Sequence, residues 1–273
     1  MTKQVVFFGS SEFSVIVLEK VLSAKCPVLS VVTTPDKPMG RHLKLTPNPV
    51  KLLAQEHRIP VATTMNYELL TNNSRPVGLV AAYGKIIPQS AIDAFGGQIC
   101  NIHPSLLPKY RGPSPLQQQI LDGITETGVT IIQLDSEVDH GPIIAQEKEK
   151  ITSDDTTVTL GVKLFAKGAD LFLQLLNNSP LPFPSLSQRE GPEVSYTKKL
   201  TRQDGFLEFE EFKNYLKIEN LKLKIDRLWR AYYPWPGVWT TTPEGQRLKL
   251  IALQPQIFVQ LEGKTPQSWP IVV

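Results

Sequence analysis

Residues 5–11 read Val-Val-Phe-Phe-Gly-Ser-Ser, and this stretch predicts a short buried strand that leads directly into a helix. The first four side chains are apolar and either β-branched or aromatic, which is typical of a strand covered on both faces. Gly9 ends the strand, and the serines after it can cap a helix over 12–24. A dinucleotide-binding turn needs three glycines where this turn has one, so NAD binding is not expected.

The alternation of strand and helix patterns continues along the first two thirds of the chain. Further strands are predicted over 28–33, 59–61, 77–82, 99–102, 129–134 and 143–151, and further helices over 50–57, 115–121 and 159–176. Residues 34–41 are predicted to be a loop because they contain two prolines and a glycine. Apolar strands separated by helices indicate an α/β fold with a Rossmann-like, mostly parallel sheet covered on both faces.

A change in composition divides the chain into two domains. Residues 177–192 are rich in Asn, Pro and Ser, which is typical of a linker. Beyond them the sequence predicts one helix over 208–231, followed by strands over 238–242, 248–253 and 256–261. We therefore predict a first domain over 1–178, a linker over 179–203 and a smaller second domain over 204–273.

Composition excludes several classes of protein. The chain has 273 residues and no apolar run of the roughly 18 residues that a membrane helix needs. Cys26 and Cys100 are too few for a disulfide scaffold, and the four histidines show no zinc-ligand spacing, so no metal site is expected. The chain starts almost directly with a strand pattern, which predicts that it carries no signal peptide. These observations favour a cytoplasmic protein that does not enter a membrane.

Three polar residues form the strongest candidate for a catalytic site. Asn101 and His103 end a predicted buried strand, and a spacing of two places both side chains on the same face. An amide and an imidazole there can together bind one carbonyl oxygen and stabilise an oxyanion during acyl transfer. Asp139, in the loop before the next strand, can orient His103 and favour its protonated form. Without further information, a hydrogen-bonded structural histidine and an ordinary turn are the commoner explanations of these residues.

The sequence around these residues resembles the folate-dependent formyltransferases. Residues 101–112 read Asn-Ile-His-Pro-Ser-Leu-Leu-Pro-Lys-Tyr-Arg-Gly, followed by Thr-Gly-Val-Thr at 127–130 and by Asp139-x-Gly141. The order and spacing match that family over about 45 residues. The resemblance implies a formyltransferase fold with a C-terminal β-barrel-like domain of the OB type, and 10-formyltetrahydrofolate as the formyl donor.

The resemblance also implies a role for each of these residues. Asn101 and His103 would hold the formyl oxygen, and Asp139 would set the charge of His103. Two further segments would contact the folate: Ser105, Leu106, Leu107 and Pro108 as the lining of its pocket, and Ala82, Tyr83 and Gly84 behind the pterin ring. No covalent enzyme intermediate is needed, because an amine attacks the formyl carbon directly.

The acceptor is indicated by the loop after the second strand. Residues 34–51 resemble the insertion loop of the family members that formylate methionyl-tRNA, with Arg41 at the position of that loop's key basic residue. The resemblance implies transfer to the α-amino group of methionine on initiator Met-tRNA by a monomer. The basic residues that would contact the tRNA are Lys37, Arg41, Lys44, Lys198 and Lys199. The last 93 residues also carry 13 basic and 10 acidic residues, the whole net charge of +3, which suits a polyanion.

Two alternatives remain open at this stage. A sugar-nucleotide N-formyltransferase shares the folate donor and the Pro-Trp-Pro-Gly element at 234–237, which we interpret as a rigid turn that packs the second domain. A catalytically silent folate- or RNA-binding module is the other, because only 36 residues follow that element. The resemblance leads us to expect more, so the second domain is predicted to be reduced. A single-domain enzyme acting on glycinamide ribonucleotide does not fit a chain with a second domain.

Overall fold

The structure is a computed structural model that describes residues 3–39, 44–63, 76–178, 193–253 and 256–270. The chain forms two compact units. The first comprises Met1–Pro113, Glu126–Lys150 and Gly161–Tyr196, and the second comprises Ser114–Thr125, Ile151–Leu160 and Thr197–Val273. Two short segments of the first 178 residues therefore belong to the second unit. The sequence analysis assigns each domain one continuous range and so does not predict these segments. The assignment of 1–178, 179–203 and 204–273 as two domains and a linker stays a prediction.

A seven-stranded sheet forms the centre of the first unit. Its strands are β1 (Val5–Phe8), β2 (Val28–Val32), β5 (Val61–Ala62), β6 (Val77–Ala81), β7 (Ile99–His103), β8 (Glu126–Gln133) and β9 (Ile143–Lys150). They lie in the order β5-β2-β1-β6-β7-β8-β9, and the pairs from β5 to β7 are parallel whereas β8 and β9 are antiparallel. The side chains of β1 and β6 are buried along their whole length, as expected of strands covered on both faces. The predicted mostly parallel sheet is confirmed.

The helices of the first unit are fixed by local capping and close packing. They are α1 (Glu12–Ser23), α2 (Pro49–Glu56), α3 (Gln89–Ala94) and the greater part of α5 (Thr157–Asn178). Ser11 and Ser14 form a capping box at the start of α1, and the Ser14 hydroxyl also donates to the carbonyl of Ala81 at 2.7 Å. A Cβ on Gly9 would lie 2.6 Å from that of Ser14, so the turn after β1 requires glycine. These contacts join the start of α1 to the carboxyl end of β6.

The segment after β2 contains a hairpin where the sequence predicts a loop. Strands β3 (Lys37–Met39) and β4 (Lys44–Thr46) pair antiparallel, with Pro38 opposite Leu45. Proline within a strand argues against a central strand, but an isolated two-stranded hairpin tolerates it because one edge is unpaired. The carboxylate of Asp36 accepts a hydrogen bond from Lys51 at 2.7 Å, which joins the base of the hairpin to α2.

The second unit contains a four-stranded antiparallel sheet and several helices. Its elements are α4 (Pro115–Asp122), a 3₁₀ turn (Arg202–Gly205), α6 (Phe209–Lys217), α7 (Glu219–Tyr232), β10 (Trp239–Thr241), β11 (Arg247–Ala252), β12 (Phe258–Leu261) and β13 (Gln267–Ser268). The strands are ordered β10-β11-β12-β13. The small antiparallel C-terminal sheet is confirmed, and its closure into an OB-type barrel stays a prediction.

The single helix predicted over 208–231 is wrong, because α6 and α7 are separate helices. Ile218 lies between them in an extended conformation, with φ −93° and ψ 119°. Its N–H still donates to the carbonyl of Asn214, and its own carbonyl accepts from Leu221. Isoleucine is stiff and favours extended backbone, so it can serve as the joint without a glycine or proline to mark it in the sequence.

The Pro-Trp-Pro-Gly turn packs through its last residues and not through its tryptophan. The ring of Trp235 is half exposed, whereas a Cβ on Gly205 would lie only 1.8 Å from the carbonyl oxygen of Gly237. The backbones of the two glycines therefore touch, which no other residue type at 205 would permit. Across the part of the chain that the structure describes, no helix has the length and apolar character needed to span a membrane.

Candidate active site

The carboxyl end of β7 holds Asn101 and His103 on one face of the sheet. Asn101 pairs with Val80 of β6 on one side, and His103 pairs with Thr130 of β8 on the other. The amide nitrogen Nδ2 of Asn101 donates to Oδ1 of Asp139 at 3.3 Å, and Nδ1 of His103 lies 3.5 Å from the same oxygen. The structure thus brings together the three residues that the sequence analysis selects.

The imidazole of His103 lies between two hydrogen-bond acceptors. The residue is 3% exposed, and its Nε2 is 2.9 Å from the carbonyl oxygen of Tyr110. A carbonyl can only accept, so Nε2 carries a hydrogen, and the carboxylate of Asp139 beside Nδ1 also only accepts. Nε2 thus donates to the Tyr110 carbonyl while Nδ1 faces the carboxylate of Asp139.

Backbone contacts fix the carboxylate of Asp139. Its second oxygen, Oδ2, accepts the N–H of Gly112 at 2.9 Å, and the residue itself has φ +52°, an uncommon conformation for a residue other than glycine. Two residues later, a Cβ on Gly141 would lie 1.9 Å from the carbonyl oxygen of Gln133. The loop between β8 and β9 therefore returns so close to β8 that only glycine fits, and this return sets the position of Asp139.

A second acid–histidine pair lies in the same loop and is missed by the sequence analysis. Nδ1 of His140 is 2.8 Å from Oδ2 of Asp135, and this hydrogen bond raises the pKa of His140. Asp135 also accepts the N–H of Glu137 at 2.9 Å, an Asx-type turn. The signal was present in the sequence as Asp-x-x-x-x-His, but that spacing is too common to select without the structure.

The segment from Ser105 to Pro108 is anchored to β8 and β9. The hydroxyl of Thr130 donates to the carbonyl of Ser105 at 2.6 Å and accepts the N–H of Leu107 at 3.1 Å. The amide of Gln146 donates to the carbonyl of Leu107 at 2.8 Å and to Thr130 at 2.9 Å. Leu107 is buried, and the peptide bond between Leu107 and Pro108 is cis.

The side chains of this segment differ in what they can offer a ligand. The hydroxyl of Ser105 is fully buried and donates to the carbonyl of Lys109 at 2.8 Å, so it shapes the loop. Leu107 packs against Ile132 and Ile143. Leu106 and Pro108 are partly exposed, and they are the members of the segment that a bound molecule could touch.

Residues 82–84 follow β6 and have an unusual backbone. Ala82 has φ +46° and Gly84 has φ +74°, with open space where a Cβ on Gly84 would point. Tyr83 is 2% exposed and packs on Phe8, and burial raises the pKa of its hydroxyl, which has no hydrogen-bond partner among the described residues. A buried polar group without a partner is costly, so this strand end suits a ligand that supplies polar atoms.

Two of the basic residues predicted to bind tRNA in the first unit, Lys37 and Lys44, lie on the strands of the hairpin. Lys37 lies on β3 and is exposed. Lys44 lies on β4, directly across the ladder from Met39. Arg41 falls within 40–43, outside the described residues.

The two lysines predicted to bind tRNA in the second unit differ in their partners. Lys198 pairs with Asp204, whose carboxylate also accepts the N–H of Thr201 at 2.7 Å and its hydroxyl at 2.8 Å. The Lys198 ammonium, followed by these Thr201 hydrogen bonds, lowers the pKa of Asp204 to about 2, and the carboxylate in turn raises the pKa of Lys198. Lys199 is exposed. Over the described ranges, no group of three or more His, Cys, Asp or Glu side chains is arranged to hold a metal ion.

Comparison with known proteins identifies the family. A formyl transferase family model matches residues 2–176, and a model of the formyl transferase C-terminal domain matches residues 215–266. The methionyl-tRNA formyltransferase of Roseiflexus castenholzii is 38% identical over 262 residues, which cover 92% of this chain and 80% of the relative. The chain belongs to the methionyl-tRNA formyltransferase family. The same enzyme of Thermus thermophilus is 38% identical over 259 residues, covering 93% of this chain and 80% of the relative. The family resemblance noted in the sequence is confirmed.

A solved structure of another formyltransferase shows the same fold. The N-formyltransferase of Helicobacter canadensis, in complex with folinic acid and dTDP-3-aminofucose, is 19% identical with a TM-score of 0.62 and covers 96% of both chains. At this identity the likeness shows the fold alone.

Proposed function

We propose that this chain transfers the formyl group of 10-formyltetrahydrofolate to the α-amino group of methionine on initiator Met-tRNA. The observation that carries the chemistry is the shared oxygen of Asp139, which lies 3.3 Å from Nδ2 of Asn101 and 3.5 Å from Nδ1 of His103. Family membership supports Met-tRNA as the acceptor of the formyl group, because relatives that are 38% identical over most of this chain are named methionyl-tRNA formyltransferases.

Asn101 and His103 act on the formyl oxygen. The Asn101 amide has two N–H donors, of which Asp139 accepts one, so the second can bind the formyl oxygen. The imidazolium of His103 supplies a positive charge beside the same oxygen, in a buried site where such a charge is strongly felt. Asp139 holds both groups in place through its shared oxygen.

His103 also moves the proton that the transfer releases. The attacking amine must be neutral, and it loses a proton as its nitrogen bonds to the formyl carbon. The folate nitrogen that departs must gain one. The other titratable side chain of the described site, Asp139, already accepts hydrogen bonds from Asn101 and Gly112, so we assign the proton transfer to His103. Proximity and charge stabilisation account for the remainder of the rate.

The strand ends beside β7 suit the folate co-substrate, which supplies a formyl group bonded to nitrogen. The unpartnered hydroxyl of Tyr83 and the left-handed backbone at Ala82 and Gly84 offer polar groups and open space. Leu106 and Pro108 offer partly exposed apolar surface after β7. Ser105 and Leu107 keep that loop in shape through their contacts with Thr130 and Gln146.

The hairpin and the two C-terminal lysines are the proposed tRNA contacts. Lys37 is exposed, and together with Arg41 and Lys44 it gives the hairpin segment a basic character suited to a phosphate backbone. Lys198 and Lys199 follow in the second unit. Lys198 is 71% exposed while it pairs with Asp204, so phosphates can reach it.

An acceptor assay tests the proposed function against the sugar-nucleotide alternative. Purified protein is given 10-formyltetrahydrofolate with either charged initiator tRNA or a dTDP-linked amino sugar, and formylated product is counted. We expect formyl-Met-tRNA and no formylated sugar. Formylation of the sugar alone would replace the proposal with the alternative, and binding of folate without transfer to either acceptor would indicate a silent module.

We further propose that the protein works as a cytoplasmic monomer. Both cysteines are free thiols, as expected in a reducing compartment. Light scattering coupled to size-exclusion chromatography should give a mass near 30.5 kDa. A mass twice as large at assay concentrations would contradict the monomer.

A further inference from the structure

A short segment just before the second unit lies along the loop that carries the Tyr110 carbonyl. We call residues 193–196 the strap. The hydroxyl of Ser195 accepts the N–H of Tyr110 at 2.8 Å, and its carbonyl accepts the N–H of Arg111 at 2.9 Å. The N–H of Ser195 donates to the carbonyl of Pro108 at 3.4 Å, so Ser195 contacts three of the four consecutive residues 108–111.

Tyr110 is the residue of this loop whose conformation needs support. Its φ is +62°, which disfavours any side chain larger than glycine by about 1 kcal/mol. This conformation directs its carbonyl oxygen to within 2.9 Å of Nε2 of His103. A single residue, Tyr110, thus connects the strap to the catalytic imidazole, because Ser195 binds its N–H and His103 binds its carbonyl.

We propose that Ser195 is a positioning residue for His103. Its hydroxyl holds Tyr110 in the left-handed conformation, and the Tyr110 carbonyl then fixes the ring orientation and the Nε2 proton of His103. The role assigned to His103 rests on the proposed function. The contact between Ser195 and Tyr110 does not, since it is a feature of the fold.

Other strap contacts do not explain the same arrangement. Glu193 lies 3.3 Å from Lys109, but both side chains are about half exposed or more, and such pairs contribute little. Tyr196 accepts a hydrogen bond from Nη1 of Arg111 at 3.1 Å, which concerns the arginine side chain and not the backbone of Tyr110. Tyr196 therefore offers a matched control within the strap.

The test compares Ser195→Ala, Ser195→Thr and Tyr196→Phe in the full chain. We expect Ser195→Ala to lower kcat for formyl transfer by about tenfold, the value of one hydrogen bond, with KM for both substrates within about twofold of native. Ser195→Thr keeps the hydroxyl and should restore kcat, and Tyr196→Phe should leave it unchanged. A rise in KM with native kcat, or a loss that threonine does not restore, would overturn the proposal.

A spectroscopic measurement separates this inference from the proposed function. The chain has four histidines, so imidazole ¹H–¹⁵N signals can be assigned, with His103→Asn identifying that of His103. Ser195→Ala should shift the His103 signal and leave that of His140 in place, without any substrate. A shifted signal in a protein that lacks formyl transfer would contradict the proposed function alone. An unmoved His103 signal would overturn the role of Ser195 even in an active enzyme.

Discussion

His103 is held by two acceptors of different origin, and they differ in how far the sequence reveals them. Asp139 lies in the Asp139-x-Gly141 segment that resembles the formyltransferase family, and this resemblance predicts its participation from the sequence. The contact with the carbonyl of Tyr110 cannot be predicted in this way, because it depends on a left-handed backbone at a residue that rarely adopts one. Thr130, which binds the backbone of Ser105 and Leu107, is predictable only in part. The sequence places it in a strand, but its position opposite His103 follows only once the register of β8 against β7 is known.

Replacing Asp139 tests the arrangement at the level of one side chain. Asp139→Asn retains an oxygen for the N–H of Gly112 but removes the charge that favours the imidazolium of His103. We expect kcat to fall by about 10²–10³-fold, the usual effect of losing an acid–base or oxyanion group. Steady-state formyl transfer measures it.

Asp135→Asn is the matched control for this substitution. Asp135 lies in the same loop but binds His140. Its change should leave kcat within about twofold of native, because no group that touches the formyl oxygen loses its charge. Equal losses in the two variants would mean that the loop as a whole, and not the charge of Asp139, supports catalysis.

At the level of elements, apolar runs predict the central strands within one to three residues, because complete burial leaves a continuous pattern. They do not predict α3, β13 or the hairpin of β3 and β4. These elements are short, and two of them are mostly exposed, so neither helical nor strand periodicity can develop over so few residues. The break at Ile218 is likewise invisible, since no glycine or proline marks it.

The loop between β8 and β9 passes so close to β8 at Gly141 that replacing this glycine should lower both stability and activity. A Cβ on Gly141 would overlap the carbonyl of Gln133, so Gly141→Ala must displace the backbone beside Asp139. In urea unfolding, Gly141→Ala should lower the free energy of unfolding by more than the roughly 1 kcal/mol that Gly96→Ala costs through its positive φ alone. The kcat of Gly141→Ala should also fall, while that of Gly96→Ala should not. Equal stability losses with native kcat would contradict this account.

The turn around Asp204 predicts a pH dependence of stability. The pKa of Asp204 is lowered in the folded chain to about 2 from an ordinary 3.8. The carboxylate therefore stabilises the fold above pH 3.8, and this stabilisation is lost as the pH falls toward 2. Asp204→Asn should lower the urea midpoint at pH 7, and the difference from native should narrow between pH 4 and pH 2. Glu244→Gln, at an exposed position, should show no such difference. A constant difference across this range would contradict the role of Asp204.

At the scale of the whole molecule, the net charge lies in the C-terminal third, which is proposed to bind tRNA, and not in the part that carries the candidate active site. The first 180 residues carry 16 basic and 16 acidic residues, whereas the last 93 carry the net +3. Catalysis depends on a few oriented polar groups and needs no bulk charge, while a tRNA backbone is attracted by it. The sequence predicts this division, but it does not predict that 114–125 and 151–160 join the C-terminal unit, because that depends on contacts distant along the chain.

The basic segment over 37–44 predicts a selective effect on tRNA. Arg41→Ala should lower kcat/KM for Met-tRNA by about tenfold and leave folate affinity unchanged, because a phosphate contact is lost. The slope of log affinity against log salt should fall by about one. Lys25→Ala, an exposed change at the end of α1, should alter neither quantity. Equal loss of folate and tRNA binding would indicate a structural role for Arg41.

The central claim is that His103, held by Asp139 and placed beside Asn101, accelerates formyl transfer to Met-tRNA. Single-turnover transfer from 10-formyltetrahydrofolate to charged initiator tRNA, compared between the native protein and His103→Asn, measures it most directly. With folate and tRNA affinity unchanged, we predict a rate at least about 10²-fold lower in the variant. A variant rate within about twofold of native would contradict the account.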